Sequence, residues 1–219
     1  MLILAEELFI LALDAEKGNI PGSLASQLQY GLSGALLADL ALMGKIGLDD
    51  KKKLELLDWT LCGDDLLDRT LTKIVSSDRL RKMTHWVKLF SGNSKKTYKE
   101  LGERLVEKGI LQKESRKYLW VIPSDAFPEK DASAKYLIKN NLRAVVFTGK
   151  VPDPYVLALL GLVKACNMLD NVFTKDELKM ANKLVEQKIQ DETIGREVAV
   201  TIQEIESAAI AGVFASVAG

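Results

Sequence analysis

The stretch Gly31-Leu-Ser-Gly-Ala-Leu-Leu-Ala-Asp-Leu-Ala-Leu-Met-Gly-Lys-Ile-Gly-Leu48 constrains this chain more than any other. Two glycines open it, and Leu36, Leu37, Leu40, Ala41 and Leu42 follow at helical spacing. Met43-Gly44 stops the run, and Lys45-Ile46-Gly47-Leu48 restarts it with apolar and other residues alternating. Glycine suits the left-handed position just past a helix end, so the order is helix, glycine stop, strand. A helix this apolar around its circumference has to be buried on several sides, which makes it the expected central helix.

The same order recurs once. Lys95–Lys108 carries Leu101, Leu105 and Val106 on one helical face, and Lys108-Gly109-Ile110-Leu111 repeats the stop. After the first stop, Asp49–Lys53 reads as a charged turn and Leu54–Leu57 as the returning strand of a hairpin. After the second, Ile110–Lys113 reads as a strand, Glu114–Lys117 as a charged turn and Tyr118–Ile122 as the return. Pro123–Ala134 then reads as a loop.

The remaining chain is helical by pattern. Leu4, Leu8, Leu11 and Ala12 share a face, closed by Asp14–Gly18, and Ser23–Gln29 reads as a polar lead-in to the central helix. Further helices are expected at Asp64–Lys73 and at Ser77–Phe90, with Leu80, Met83, Val87 and Phe90 on one side, and a basic segment follows the loop at Lys135–Arg143. Asp153–Val163 is apolar on all sides, and Arg196–Val217 is alanine-rich. Thr174–Gln190 opens with a threonine and a glutamate three residues on, a capping pair. The expected fold is mainly α: a single globular domain over 1–219, with a central helical bundle, amphipathic surface helices and peripheral β-hairpins.

Lys+Arg and Asp+Glu each total 30, so no net charge draws the chain to nucleic acid, and any anion-binding surface has to be a local patch. Leu2–Leu13 is interrupted by Glu6 and Glu7 and has no basic residues before it, unlike a signal peptide, and it falls short of the roughly 20 apolar residues that span a bilayer. Cys62 and Cys166 show no metal-binding spacing and read as reduced, buried thiols of a cytoplasmic protein. Any membrane contact is expected to be peripheral.

The search for chemistry is mostly negative. His85 beside Trp86 has no partner at a recognisable spacing, and no nucleophile elbow, P-loop, dinucleotide glycine motif or zinc-protease helix is present. Asp64 and Asp68 are one helical turn apart and match the Mg²⁺-holding pair of isoprenoid-diphosphate enzymes, but Asp170-Asn171 offers only one carboxylate for the second half of such a site. The competing role for Asp64 is to cap the helix that starts after Gly63. Helix plus hairpin also suggests a winged-helix DNA-binding protein. In that alternative Lys95–Lys108 would be the recognition helix, yet Glu100, Glu103 and Glu107 sit among its basic residues. Neither a catalytic residue nor a cofactor or metal is assigned, and no nucleic acid is expected.

Four segments carry a resemblance to the Golgi phosphoprotein 3 family, which includes the yeast vacuolar sorting homologue. They are Leu4-Ala-Glu-Glu-Leu8 with Leu11–Asp14, Gly31–Ile46, Leu105–Leu111, and Leu157–Leu160 with Leu169–Phe173. Gly63-Asp64 and Leu66–Asp68 also look like the family's helix start. The likeness runs in order from about residue 2 to the C-terminus and identifies a prokaryotic or otherwise diverged member.

The resemblance implies a peripheral membrane protein. Eukaryotic members bind phosphatidylinositol 4-phosphate on Golgi membranes and act as sorting adaptors for protein tails. In them a tryptophan and basic side chains hold the lipid phosphate. An ungapped match puts that tryptophan at Leu24, the first arginine at Ser33, and the other two basic positions at Lys95 and Tyr98. Only Lys95 keeps the chemistry, with Lys96 and Lys99 as nearby substitutes, so an anionic, phosphoinositide-like headgroup is expected at these six positions. The family's self-association hairpin corresponds to about Pro123–Lys135.

Overall fold

The computed structural model describes residues 1–118, 122–148, 153–189 and 196–217. The opening stretch forms the end of a longer helix, α2 (Gly22–Leu42), which packs against α1 (Leu4–Ala12). The expected polar lead-in Ser23–Gln29 is therefore helical. Leu24 and Leu28 already continue the apolar stripe through Leu32 and Ala35, and burial of that stripe outweighs the polar residues between. Gly44 takes a φ of +69°, its amide bonds to the carbonyl of Ala41, and the Lys45 amide bonds to that of Leu40. This is a Schellman closure, and it repeats at α5 (Ser94–Glu107), where Gly109 has a φ of +74° and the Ile110 amide reaches Leu105.

α2 is surrounded by α1, α3 (Asp65–Val75), α4 (Met83–Ser91), α7 (Pro154–Ala165) and α9 (Arg196–Val217). The glycines that open its second half are there for contact. A side chain at Gly31 would strike the Cys166 sulfur, and a methyl on Gly34 would lie 3.0 Å from Leu162 and 3.3 Å from Ile205. α6 (Ser133–Phe147), a 3₁₀ turn at Leu169–Asn171 and α8 (Lys175–Ile189) complete the described chain. Half of the expected capping pair forms, since the Thr174 amide donates to Glu177 at 2.9 Å. Glu177 is also gripped by Arg143 through two bonds of 2.5 Å.

The first hairpin follows its pattern: β1 (Ile46–Leu48) pairs with β2 (Leu54–Leu56), Ile46 opposite Leu56, and the Asp49 side chain holds the Lys51 and Lys53 amides in the turn. The expected helix Ser77–Phe90 begins only at Met83. Before it the chain is used as an edge partner of β2, with the Leu54 amide bonded to Arg81 and Lys53 bridged to Lys82, and Leu80 is left exposed.

The second hairpin is out of register with the expectation. β3 is Glu114–Tyr118 and β4 is Ile122–Ala126, so the expected charged turn is strand and the first part of the expected loop is its partner. Residues 119–121, on which the expected return strand falls, lie outside the described residues. The cause is at the base of the ribbon. Buried Leu111 bridges to Glu129 and the Gln112 amide bonds to Pro128, which fixes the pairing farther along the chain. Pro123–Lys135 is thus one strand, a turn and the first residues of α6, not a hairpin of its own.

Candidate functional site

A cleft opens beside α5, and its floor is assembled from segments far apart in sequence. The turn after α1 is tied by Asp14, whose side chain accepts from the amides of Lys17 (2.8 Å) and Glu16 (3.1 Å). The Lys17 amide, ahead of smaller contributions, holds the Asp14 carboxyl below its usual range. Gly18, with φ +63°, allows this turn to lie flat against Phe127 and Pro128. The Phe127 amide donates to the Gly18 carbonyl (2.7 Å) and the Glu129 amide to that of Ala15 (3.0 Å). Lys135 locks the same junction by donating to the Leu13 carbonyl (2.8 Å) and to Glu129 (2.6 Å). The Phe127 ring then covers Gly102 of α5, where an added methyl would come within 2.6 Å of it.

The space left is about 500 Å³, lined by Phe9, Leu13, Ile20, Ala25 and Phe127, with Lys95, Tyr98 and Lys99 on the α5 wall and Asp125 at the rim. That size and a mostly apolar lining with few polar groups are those of small-molecule sites. The Tyr98 hydroxyl donates to the Ala25 carbonyl (2.9 Å), so this residue presents its ring to the cleft, and burial pushes its ionisation up. Lys95 is exposed and forms no ion pair among the described residues, and Lys99 has only a 4.0 Å approach to Glu103. Asp125 does not answer them, because Lys113 lies 3.2 Å from it and also holds Glu103 at 2.7 Å.

The residues singled out from sequence divide at Tyr98. Lys95, Tyr98 and Lys99 share the cleft, and Lys96 is exposed on the same helix, outside the lining. Ser33 lies behind Tyr98, 2 % exposed, its hydroxyl donated to the Gln29 carbonyl (2.8 Å), beside a separate void of about 10 Å³. Such a void has room for about one water molecule. Leu24 packs against the core.

The C-terminal half of α5 is occupied with a buried polar cluster that sequence reasoning missed. Glu6, 0 % exposed, accepts from Arg104 (3.0 Å), from Lys108 (2.6 Å) and from its own Ile3 amide (3.1 Å). Asp39 of α2 accepts from the Leu4 amide (2.9 Å), completing the start of α1. Arg104 also pairs with Asp64, which caps α3 through the Leu66 and Leu67 amides. Burial works against charge on Asp64, but Arg104 and the capped amides outweigh it and hold the carboxyl below its usual range. Asp39 is pushed up to about 8 by burial, against the opposing Leu4 amide and with the neighbouring carboxylates adding to it. Glu7 is pushed up to about 7 by burial and by Glu6. The signal in the sequence was the pair of glutamates interrupting an apolar helix.

This network also decides what Asp64 and Asp68 do. Asp68 accepts from the amides of Cys62 (2.5 Å) and Gly63 (3.3 Å), so both carboxylates are engaged in starting α3. His85 is exposed and packs edge-on against Trp86, and of the two free thiols Cys166 is buried as expected whereas Cys62, in the turn before α3, is only half-buried. Among the described residues no group of acidic, histidine or cysteine side chains is arranged to hold a metal. No described helix is long and apolar enough to cross a membrane.

The amino-acid sequence matches a known family over most of its length. The family model of Golgi phosphoprotein 3 (GPP34) fits residues 4–205. This chain belongs to the Golgi phosphoprotein 3 family. Among its relatives, vacuolar protein sorting-associated protein 74 of Eremothecium gossypii is 27 % identical over 174 residues, covering 70 % of this chain and 52 % of that protein. The protein of the same name from Schizosaccharomyces pombe is 28 % identical over 165 residues, covering 66 % of this chain and 48 % of that protein. The chain thus spans about half the length of the curated relatives it matches.

Proposed function

We propose that this Golgi phosphoprotein 3 family member is a peripheral, non-enzymatic sorting adaptor that meets anionic phospholipid through Lys95 and Lys99, with Lys96 beside them. The observation that carries this reading is the unused charge on α5. Arg104 and Lys108 are consumed by Glu6 and Asp64, whereas Lys95 has no ion-pair partner among the described residues. Exposed lysines near an anionic bilayer contribute about 1 kcal/mol each. The sorting role is supported by the names of the fungal relatives. As a sorting adaptor the chain would also bind protein tails, and the ribbon around Pro123–Lys135 is the proposed surface for self-association.

Co-sedimentation with liposomes tests the lipid reading. Wild-type protein is expected to pellet with vesicles containing acidic lipid and not with neutral ones, and the double change Lys95→Glu with Lys96→Glu is expected to weaken binding roughly thirtyfold or more. Equal sedimentation with neutral and acidic vesicles sinks it. Adding phosphatidylinositol 4-phosphate at constant total charge then shows whether the headgroup itself is read.

A further inference from the structure

The cleft beside α5 is larger and more apolar than a headgroup requires. Lysine offers a compact point charge instead of the fixed fork that reads a phosphate bidentately, and specific phosphate capture needs several converging donors. The lining supplies two lysines, the neutral amide of exposed Asn19, and a tyrosine whose hydroxyl is already spent on Ala25. Behind Tyr98, the void at Ser33 is about 10 Å³, too small for a phosphate group. In front of it, about 500 Å³ is floored by Phe9, Leu13, Ile20 and Phe127.

Charge and shape point the same way. Lys95 and Lys99 are one turn apart on a single face of α5, both exposed, and the side chains below them are apolar and mostly buried. An anion held between them directs whatever it is attached to onto that floor. A headgroup alone would leave the apolar surface wet, whereas a hydrocarbon chain covers it and gains about fourfold in affinity for each methylene buried.

Resting on the lipid reading above, we infer that this cleft takes the hydrocarbon chain of a single-chain anionic amphiphile, with its phosphate or carboxylate between Lys95 and Lys99. Selectivity then lies in chain length more than in the headgroup.

The test is calorimetric titration of the full chain with hexyl, octyl and decyl phosphate below their micelle concentrations, with inorganic phosphate as the chainless probe. Affinity is expected to rise about fourfold per added methylene until the cleft is filled. Ala25→Phe, which narrows the cleft and keeps the backbone carbonyl that Tyr98 uses, is expected to abolish the rise from octyl to decyl. Lys95→Gln with Lys99→Gln is expected to weaken all three homologues by a similar factor of ten or more and to leave the slope with chain length intact. Circular dichroism melting of each variant shows that the fold is retained. Equal affinity for inorganic and decyl phosphate overturns the inference, as does a chain-length slope that Ala25→Phe leaves unchanged. Acidic-vesicle binding with no chain-length slope retains the headgroup reading and rejects this one. Chain-dependent binding of the phosphates without vesicle binding does the reverse.

Discussion

The two halves of α5 carry the same kinds of residue and are used for opposite purposes. Arg104 and Lys108 in and after its last turn are drawn onto a wholly buried Glu6 and an Asp64 that caps α3. Lys95, Lys96 and Lys99 in its first turns are exposed, with only the loose contact from Lys99 to Glu103 among the described residues. What differs is the neighbour. α1 packs against α5 and brings a carboxylate that has to be neutralised once buried, while the start of α5 faces a cleft with no carboxylate free to pair. Position along one helix thus separates charge that holds the fold from charge left exposed beside a cleft.

The sharpest way to break the comparison is to remove a cation from each half. Arg104→Ala leaves Glu6 buried with Lys108 alone and unties Asp64, so the expected loss is about 3 kcal/mol, read as a lower urea midpoint with an unchanged slope. Lys95→Ala is expected to stay within about 0.5 kcal/mol of wild type. Similar losses for the two variants would erase the distinction. A somewhat smaller effect is expected where the cleft floor meets α5. Gly102→Val forces the Phe127 ring off the helix, with a cost of about 1–3 kcal/mol in thermal or urea unfolding. Amphiphile binding would be lost with it.

pH sharpens the same contrast. Glu7 and Asp39 beside the polar cluster titrate at about 7 and about 8, and Glu206 on α9, buried against Gly161 and partly relieved by Lys164, at about 8. All three lie above the values these groups have in an unfolded chain, so between those ordinary values and about pH 8 these three carboxyls hold more protons in the folded chain than in the unfolded one. Their contribution to stability is complete below that window, declines as the pH rises across it, and is gone once the pH has passed about 7 to 8. The melting temperature is expected to drop by roughly 5 °C from pH 6 to pH 9. Asp39→Asn keeps an acceptor for the Leu4 amide, cannot ionise, and is expected to flatten part of that slope. A melting temperature that climbs across this range contradicts the buried-carboxylate account. The smallest change in stability is expected for Lys95→Gln with Lys99→Gln, which should melt with wild type while losing vesicle binding.

The helices and their ends were the most legible part of the chain. Gly44 and Gly109 announce two helix stops, and Asp64 and Asp153 announce helix starts, because capping is decided by residues within one turn of each other. The second hairpin was not legible. Its register is set where buried Leu111 bridges to Glu129 and where Phe127 and Glu129 bond to the turn at Ala15–Gly18, contacts that no local pattern encodes. Part of the candidate site's layout was visible in the same sense: Lys95, Tyr98 and Lys99 fall on one face of α5 by helical spacing alone and line one cleft. Ser33, on the neighbouring helix, also looked available, but the Tyr98 ring separates it from the lysines.

By itself the sequence determined a mainly α domain of the Golgi phosphoprotein 3 family, the central helix with its glycine closure, and the absence of net charge. Those follow from short-range rules of periodicity, capping and composition. Only the tertiary structure decided which cations on α5 are spent and which face a cleft, since that depends on whether α1, α3 or the Phe127 turn lies opposite. Burial next to a carboxylate converts a surface charge into part of the fold, and a sequence read along one dimension does not contain that neighbour.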